Sequence, residues 1–228
     1  IICLVFSATT LLAQKKVTNE MIVHTRALRT LIHSDPHRPS WHFVAPEGKA
    51  YPFDPNGGIF WKGKYHLGYI YQALKNGKSE HFWGHAVSTD LYSWQELPVA
   101  IDCTPTSGIF SGSAVVDHNN TSGFGTQENP PIVAIYTEHQ NDESNQSQCL
   151  AFSLDEGLTF TKYESNPVLD INLPNFRDPK VNWIDGQWIM TLALPQEFKI
   201  SFYSSPNLKE WTHLSDFGPA AEVGGIWE

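Results

Sequence analysis

Charged side chains are scarce in this chain, and acidic ones outnumber basic ones. Only 17% of the 228 residues are charged, and 15 Lys and Arg stand against 24 Asp and Glu, for a formal net charge of -9. A protein that binds nucleic acid needs clustered Lys and Arg, and the sequence has no such cluster. The composition therefore argues against a polyanionic partner such as nucleic acid and favours a neutral small-molecule substrate.

Cysteine is also rare, with three residues in the whole chain. If Cys3 is removed with an N-terminal signal segment, Cys103 and Cys149 remain for one disulfide in an oxidising compartment. Two buried free thiols fit the spacing equally well, so the pairing stays open. Neither cysteine has the Cys and His neighbours of a zinc site, and none of the ten histidines lies in an HExxH-type pattern. We therefore expect no metal site.

The apolar run at the N-terminus is too short to cross a membrane. Residues 1–13 have the length of the apolar segment of a secretory signal peptide, and Gln14, Lys15 and Lys16 follow at once. No initiating Met or basic segment precedes the run, so we interpret it as a partial signal peptide and residues 14–38 as a lead-in segment. This predicts a secreted protein without a membrane partner. A buried N-terminal strand is the alternative.

Three N-glycosylation patterns agree with secretion. Asn-X-Ser/Thr sequences begin at Asn119, Asn120 and Asn145, in polar stretches typical of loops. These patterns predict glycan acceptor sites if the chain is secreted. They support secretion only weakly, because such patterns also occur by chance.

Most of the sequence consists of short strand-like segments. After one helix predicted over residues 20–33, helical periodicity is scarce. The sequence therefore predicts an all-β protein. Besides the hairpin described next, strands are predicted over residues 82–88, 113–116, 132–138, 180–183 and 188–194.

The segment 51–72 predicts a β-hairpin with an acid at its entrance. Apolar and aromatic residues alternate from Tyr65 to Tyr71, which is the two-residue period of a strand. Asp54 stands before this hairpin, and Pro55 favours an extended backbone for the preceding aspartate. The carboxylate is therefore expected to be presented at a strand entrance.

Two signatures recur along the chain and group the strands into repeats. The first is a serine followed by a turn and, six or seven residues after the serine, by a large aromatic residue. Each copy predicts a strand, a turn and a second strand anchored by a ring, as on the outer strands of a propeller blade. The three copies pair Ser88 with Trp94, Ser153 with Phe160 and Ser204 with Trp211.

The second signature lies upstream of each copy of the first. Its first three copies each precede a strand, a turn and another strand, so the unit is four strands long and predicts a β-propeller. Because the first strands of all blades line the central channel, Asp54, Asp178 and Glu228 are predicted to converge. The alternative is that Asp-Pro is an ordinary turn dipeptide. The copies are Asp54-Pro55, Phe110-Ser111-Gly112, Arg177-Asp178-Pro179 and Trp227-Glu228.

The signature blocks resemble, in order, those of glycoside hydrolase family 32, which includes invertases, inulinases and related fructan-active enzymes. The resemblance extends from about Pro39 to the last residue, and the ordered set is far more specific than any single block. The blocks are His42-Phe43, Asp54 to Gly57, Tyr69 to Gln72, Trp83 to Asp90, Phe110 to Ala114, Phe176 to Pro179 and Trp227-Glu228.

The resemblance implies a five-bladed β-propeller followed by a β-sandwich. It also implies retaining hydrolysis of terminal β-D-fructofuranosides such as sucrose and short fructans, with no metal or organic cofactor. Residues 39–228 would then be an incomplete propeller domain with about three blades and the start of a fourth, and the sandwich would lie outside this sequence. Since an open propeller exposes sheet edges, we expect the 228 residues alone to be inactive.

The resemblance further implies roles for individual residues. Asp54 corresponds to the nucleophile and Asp178 to the transition-state stabiliser. Glu228 corresponds to the general acid/base, whose pKa must be raised for it to protonate the leaving group. The positions that correspond to substrate binding are Gln72, Trp83, Phe110, Ser111 and Arg177.

Substrate preference stays open because the chain departs from the family pattern. Tyr51-Pro52-Phe53 stands where the family usually has Trp-Met-Asn, so a ring replaces an amide that commonly touches the fructosyl unit. A fructosyltransferase of the same family and a catalytically silent carbohydrate-binding propeller are the alternatives. A related propeller family that acts on arabinosides or xylosides does not fit the Asp-Pro-Asn-Gly and Phe-Ser-Gly-Ser blocks together.

Overall fold

A computed structural model describes most of the chain from Asp54 onward. Residues 27 and 30–34 are helical, which agrees with the predicted helix for the part that is described. No helix within the described residues is both long and apolar enough to span a membrane. The proposed signal peptide and much of the lead-in segment lie outside the described residues. The residues described are 27, 30–38, 43, 54–75, 78–220 and 226–227.

Most of the described chain forms three antiparallel sheets that follow one another in sequence. The first contains β1 (Pro55–Trp61), β2 (Lys64–Lys75), β3 (Lys78–Ser88) and β4 (Trp94–Glu96). The second contains β5 (Ser107–Val116), β6 (Ile132–Gln140), β7 (Gln146–Ser153) and β8 (Thr161–Lys162), with β9 (Leu169–Leu173) paired to β7. The third contains β10 (Arg177–Ile184), β11 (Gln187–Leu194), β12 (Lys199–Ser205) and β13 (Thr212–Phe217).

Each sheet contains a meander of four strands that pair in chain order, the arrangement of a propeller blade, and the second sheet has β9 as an additional strand. The predicted all-β class and the three repeated sheets are thereby confirmed. A 3-10 turn at Pro195–Glu197 lies between β11 and β12. The three sheets do not close a ring by themselves within the described residues.

The first hairpins of the first and third sheets show how these sequences form strands. The predicted hairpin is present as β1 and β2, joined at Lys62-Gly63, where both residues have positive φ. The β10–β11 hairpin turns in the same way at Asp185-Gly186. Positive φ at two successive residues matches the right-handed twist of the flanking strands, so these turns fix the hairpin register.

Both faces of the first sheet are buried, which explains why its strands are apolar on both sides. Tyr71 stacks on Phe82 with ring centroids 5.3 Å apart, on the face that also buries Tyr69. Ile70 and Trp83 point to the opposite face, where they pack against the second sheet. A blade inside a propeller has a neighbour on each side, so this two-sided burial is expected.

Two apolar clusters join the sheets. The cluster between the first and second sheets includes Ile70, Trp83, Ile109 and Tyr136. The cluster between the second and third sheets includes Val133, Leu150, Phe176, Val181 and Met190. The sheets therefore pack in sequence order around a common axis.

The serine signature builds the turn before the outermost strand of each sheet. In the first sheet the Ser88 hydroxyl donates to the Asp90 carboxylate at 2.9 Å and accepts the backbone N–H groups of Asp90 and Leu91. In the third sheet the equivalent serine is Ser205, whose hydroxyl bonds to Asn207. The prediction that Ser204 starts this copy was wrong by one residue, because Ser204 and Ser205 are adjacent and sequence spacing alone does not separate them.

Cys103 and Cys149 are both buried free thiols. Cys103 packs with the first-sheet residues Tyr69 and Phe82, whereas Cys149 packs with Tyr136 between the first and second sheets. The free-thiol alternative is therefore confirmed for these two cysteines, and Cys3 lies outside the described residues.

The three glycosylation patterns differ in the exposure and hydrogen bonding of their asparagine side chains. Asn119 is exposed. The side chain of Asn120 is tied to Gly125 by two hydrogen bonds of 2.7 and 2.9 Å. The amide of Asn145 donates to the Asp170 carboxylate at 2.8 Å. In the folded protein Asn119 is the accessible acceptor of the three.

Candidate active site

A cavity of about 190 Å³ lies where the first strands of the three sheets meet. Strand β5 contacts both β1 and β10, which brings the beginnings of these strands together. Asp54 directly precedes β1, Ser111 lies in β5 and Asp178 lies in β10. Side chains from three separate sheets therefore share one cavity. The other described residues that line it are Ile70, His81, Phe110 and Arg177.

Each of these first strands is interrupted by a β-bulge or similar irregularity at the cavity. Such an irregularity bends the strand and changes the direction of a side chain. In β10 it accompanies a φ of 63° at Asp178, a left-handed conformation that is unfavourable for a residue other than glycine. The register shifts lie between Asn56 and Ile59, between Ile109 and Gly112, and between Arg177 and Lys180.

Asp54 is held in place by a hydrogen-bond bridge between β1 and β5. The Ser111 hydroxyl donates to Asp54 Oδ2 at 2.6 Å. The buried Asn56 amide donates to the Asp54 backbone carbonyl at 3.0 Å, and its oxygen accepts the Gly112 N–H at 2.9 Å. This explains the Asp-Pro-Asn-Gly block: Asn56 connects the two strands and leaves the carboxylate of Asp54 facing the cavity.

Gly112 is required by the closeness of β5 and β6. A Cβ atom at this position would collide with the backbone carbonyl of Ile135. The Phe110-Ser111-Gly112 block therefore combines a ring at the cavity, a donor to Asp54 and a position where only glycine fits.

Asp178 and Arg177 form the third side of the cavity. Arg177 Nε lies 3.7 Å from Asp178 Oδ2, and Arg177 Nη1 donates to Asn175 Oδ1 at 2.8 Å. The Asp178 N–H donates to the Thr137 hydroxyl at 3.1 Å. The guanidinium and the backbone bond together fix the direction of the Asp178 carboxylate.

Two buried glutamines of β7 hold the entry to β10. Gln148 donates from its side-chain amide to the Phe176 carbonyl at 2.7 Å and accepts from the Thr137 hydroxyl at 3.0 Å. The Gln146 side-chain oxygen accepts the Phe176 N–H at 3.1 Å. Phe176 itself is fully buried between the second and third sheets. The backbone that carries Asp178 is therefore anchored on both sides.

His81 and Ile70 line the cavity although sequence reasoning did not select them. Burial lowers the pKa of His81, and the nearby His139 lowers it further. Phe110 packs edge-on against His81 at a centroid distance of 5.2 Å. His81 reaches the cavity because β3 pairs with β2. The polar sequence between these two strands does not predict which of their residues pair.

Gln72 lies beside His81 on the neighbouring strand and is not among the described residues that line the cavity. The two residues are direct cross-strand neighbours, and Gln72 Nε2 lies 2.9 Å from His81 Nε2. Ile70, two residues earlier on the same face of β2, takes the cavity position instead. A direct contact between Gln72 and a sugar therefore stays a prediction.

Trp83 lies in the core between the first and second sheets, where its side chain is 3% exposed. Its indole covers Gly68, at which a Cβ atom would overlap the ring, and it also approaches Gly57. This placement gives Trp83 a packing role, and its contact with a sugar stays a prediction. Trp83 and His81 are two residues apart in β3 and so share one face, but Trp83 lies further from the beginning of the strand than His81 does.

Glu228 and Phe53 lie outside the described residues, so the convergence of the third acid stays a prediction. Within the described residues, no group of three or more His, Cys, Asp or Glu side chains is arranged to hold a metal ion.

Comparison with known proteins identifies the family. The model of the glycosyl hydrolases family 32 N-terminal domain matches residues 42–228. A levanase from Bacillus subtilis is 43% identical across 94% of this chain, and an invertase from Schizosaccharomyces pombe is 42% identical across 84%. These alignments cover 33% and 34% of the respective relatives.

Solved structures agree with the sequence relatives. The exo-inulinase from Aspergillus awamori superposes on 86% of this chain with a TM-score of 0.75 and 39% identity. A β-fructofuranosidase from Schwanniomyces occidentalis, complexed with fructosyl-erythritol, superposes on 79% with a TM-score of 0.71 and 47% identity. The chain covers 42% and 36% of these two structures. By its sequence and its fold, the chain belongs to glycosyl hydrolase family 32.

Proposed function

We propose that this chain forms part of a retaining glycoside hydrolase that cleaves terminal β-D-fructofuranosides by double displacement. The observation that carries the proposal is the shared cavity of Asp54 and Asp178, which come from different sheets, with Ser111 bonded to Asp54 at 2.6 Å. A retaining glycosidase needs a nucleophilic carboxylate that faces a sugar-sized space, and the acid/base that works with Asp54 is assigned to Glu228. Membership of family 32 supports the same reaction class.

Asp54 is the proposed nucleophile. Its carboxylate attacks the anomeric carbon of the fructosyl unit, the bond to the leaving oxygen breaks, and a covalent glycosyl-enzyme ester forms. Ser111 holds Oδ2 of this carboxylate, which leaves the other oxygen to be directed at the sugar. Water then attacks the same carbon in the second step and restores the free Asp54 carboxylate with net retention of configuration.

Asp178 is the proposed transition-state stabiliser. Positive charge develops on the sugar ring as the glycosidic bond breaks, and a fixed negative charge nearby lowers the energy of that state. Charge-assisted hydrogen bonds from sugar hydroxyls to Asp178 are also stronger than neutral ones. Arg177, 3.7 Å away, orients the carboxylate for both purposes.

Glu228 is the proposed general acid/base, by its match to the family block. It protonates the leaving oxygen in the first step and takes a proton from water in the second. The proposal requires its carboxyl to stay protonated near the working pH, so its pKa is expected to be raised in the complete site.

Sucrose and short fructans are the proposed substrates, and secretion is the proposed destination. The relatives named above are a levanase, an invertase, an exo-inulinase and a fructofuranosidase, and related exo-inulinases from Aspergillus awamori and Aspergillus niger are extracellular. The ring of Phe53 in place of an amide favours a preference that differs from theirs, which a panel of sucrose, inulin and levan would measure.

The test is hydrolysis by the protein expressed from its complete natural coding sequence. We expect fructose release from sucrose, with the β-anomer appearing first in proton NMR because two displacements retain configuration. Asp54→Asn should lower kcat by at least about 10³-fold while the protein still binds fructose. Asp185→Asn, in the exposed β10–β11 turn, is the control and should leave kcat unchanged.

Two outcomes would replace this proposal. Fructan binding without any hydrolysis, unchanged in Asp54→Asn, would show a silent carbohydrate-binding propeller. Longer oligosaccharides as the main products at high sucrose would show a fructosyltransferase.

A further inference from the structure

His81 lines the cavity but has no part in the mechanism above. The other neutral polar side chain in the described lining, Ser111, already donates its hydroxyl proton to Asp54. A neutral imidazole carries one donor and one acceptor, so it can bond to a neighbouring side chain with one nitrogen and to a sugar hydroxyl with the other. His81 is therefore chemically suited to contact an uncharged sugar directly.

Gln72 lies on the neighbouring strand and forms a hydrogen bond with the imidazole of His81. Its side-chain Nε2 lies 2.9 Å from His81 Nε2, and the two residues face each other across β2 and β3. When the amide donates, His81 Nε2 accepts and the ring proton stands on Nδ1, so Gln72 sets the tautomer. The amide oxygen of Gln72 is buried without a hydrogen-bond partner in the described structure, which leaves the His81 bond as the side chain's evident purpose.

An aromatic stack fixes the plane of the His81 ring. Phe110 packs against it edge-on at 5.2 Å and 82°, and His139 stacks flat on the other side of Phe110 at 4.4 Å and 8°. Phe110 also lines the cavity. The imidazole is therefore held by a hydrogen bond and by ring packing, as expected for a group that must meet a ligand in one orientation.

Burial favours the uncharged form of the imidazole. The pKa of His81 is lowered chiefly by loss of solvent, and the charge of nearby His139 lowers it further. A neutral ring avoids repulsion from Arg177 at the same cavity, and it retains an acceptor nitrogen that a protonated ring would lose.

We propose that His81 contacts a ring hydroxyl of the fructosyl unit next to Asp54, and that Gln72 is a positioning residue that acts through His81. The inference rests on the proposed function and assigns a specificity residue to the same cavity. It also assigns Gln72 a different role from the direct sugar contact that the family resemblance implies, because Gln72 would affect the sugar through the imidazole.

The experiment measures sucrose hydrolysis by His81→Ala, His81→Gln, Gln72→Leu and the double variant His81→Ala/Gln72→Leu. These are made in the protein expressed from its complete natural coding sequence. His81→Ala should raise KM about tenfold or more, because the sugar hydroxyl loses its hydrogen bond to the imidazole inside the cavity. His81→Gln keeps a neutral donor and acceptor and should recover most of that loss. The inhibition constant of fructose should rise in parallel with KM.

The double variant separates positioning from direct contact. If Gln72 acts through His81, Gln72→Leu should raise KM several-fold alone and add little in the His81→Ala background. Thermal unfolding of every variant checks that the fold persists. His118→Ala, an exposed histidine beyond the far end of β5, is the matched control and should keep the wild-type KM.

The possible results distinguish this inference from the function on which it rests. Wild-type turnover with KM within twofold in both His81→Ala and His81→Gln would overturn the role of His81. Equal effects of Gln72→Leu with and without His81 would overturn its role as a positioning residue. Absence of any β-fructoside hydrolysis by the wild type would instead overturn the proposed function, and the inference with it.

Discussion

The side chain of Gln148 donates a 2.7 Å hydrogen bond to the backbone carbonyl of Phe176, and so joins the second sheet to the entry of the third. The oxygen of the same amide accepts from Thr137, whose hydroxyl in turn accepts the Asp178 N–H. Gln148 and Thr137 are completely buried. The position of an acid at the cavity therefore depends on a polar chain in the interior.

Replacing Gln148 by Leu should impair both stability and catalysis. The change leaves the Phe176 carbonyl without its side-chain donor and the Thr137 hydroxyl proton without its acceptor, which costs about 1–3 kcal/mol of unfolding free energy. Displacement of Asp178 should lower kcat more than tenfold, since small misplacements of a charged group weaken transition-state stabilisation. Urea unfolding and sucrose kinetics measure the two effects. Gln187→Leu, at the exposed start of β11, is the control, and an unaltered kcat in Gln148→Leu would contradict this account.

Ser111→Ala should reduce catalysis with little change in stability. The hydroxyl donates to Asp54 Oδ2 at 2.6 Å, so its removal frees the carboxylate to rotate away from the productive direction. We expect kcat/KM to fall about 10- to 100-fold, the usual cost of losing one oriented hydrogen bond at a reacting group. Initial-rate measurements check this value. Ser215→Ala on exposed β13 provides the comparison, and equal rates for both variants would refute the orienting role.

Gly112→Ala should lower the unfolding free energy, whereas Gly58→Ala should leave it nearly unchanged. A methyl group at Gly112 meets the Ile135 carbonyl, which the strand pairing holds in place, whereas nothing lies within 4 Å of the Gly58 position. Gly112→Ala should therefore lose about 3 kcal/mol or more of unfolding free energy through overpacking. Calorimetric Tm values test the pair. Similar Tm values for the two variants would show that β5 adapts to the added atom.

The unfolding free energy should decrease as the pH falls from about 6.5 to 4 because of His85. Burial chiefly, and the charge of His66 second, lower the pKa of His85 from 6.5 to about 4, against the opposing hydrogen bond to the Gly157 carbonyl. The unfolded chain then binds a proton in this range that the folded chain refuses, so acid favours unfolding. The full effect is about 3 kcal/mol, from the shift and about 1.4 kcal/mol per pKa unit.

A variant that lacks the imidazole isolates this contribution. His85→Gln should flatten the stability profile between pH 6.5 and 4, measured by urea unfolding at several pH values. Carboxylates that titrate in the same range are common to both proteins and cancel in the difference. His118→Gln, at an exposed position, should keep the wild-type slope. An equally steep profile in His85→Gln would place the acid sensitivity elsewhere, first of all at His66, whose pKa is also lowered by burial.

The repeat pattern was sufficient to predict which strands begin at the cavity. Asp54, Ser111 and Asp178 occupy equivalent positions of successive four-stranded units, and radial packing brings equivalent positions together. The convergence therefore follows from repetition of one unit and needs no knowledge of distances. Their chemical roles stay predictions.

The sequence could not predict which residues of β2 and β3 face the cavity. Strands of an inner blade are buried on both faces, so the alternation of polar and apolar residues that normally marks the inner face is lost. Gln72 and Trp83 were selected by block, but the register of β2 with β3 places Ile70 and His81 at the lining. Register over eleven paired residues is set by tertiary packing and by the hairpin turn.

The Asp185-Gly186 turn ends a strand that begins at Arg177 beside the cavity. Eight residues of β10 span about 25 Å, and a Cβ atom at Gly186 would meet no other atom within 4 Å. An affinity tag inserted there, or a linker to a solid support, would hold the molecule by the edge remote from the cavity. Immobilised protein would then present its opening to the sugar solution in a uniform orientation.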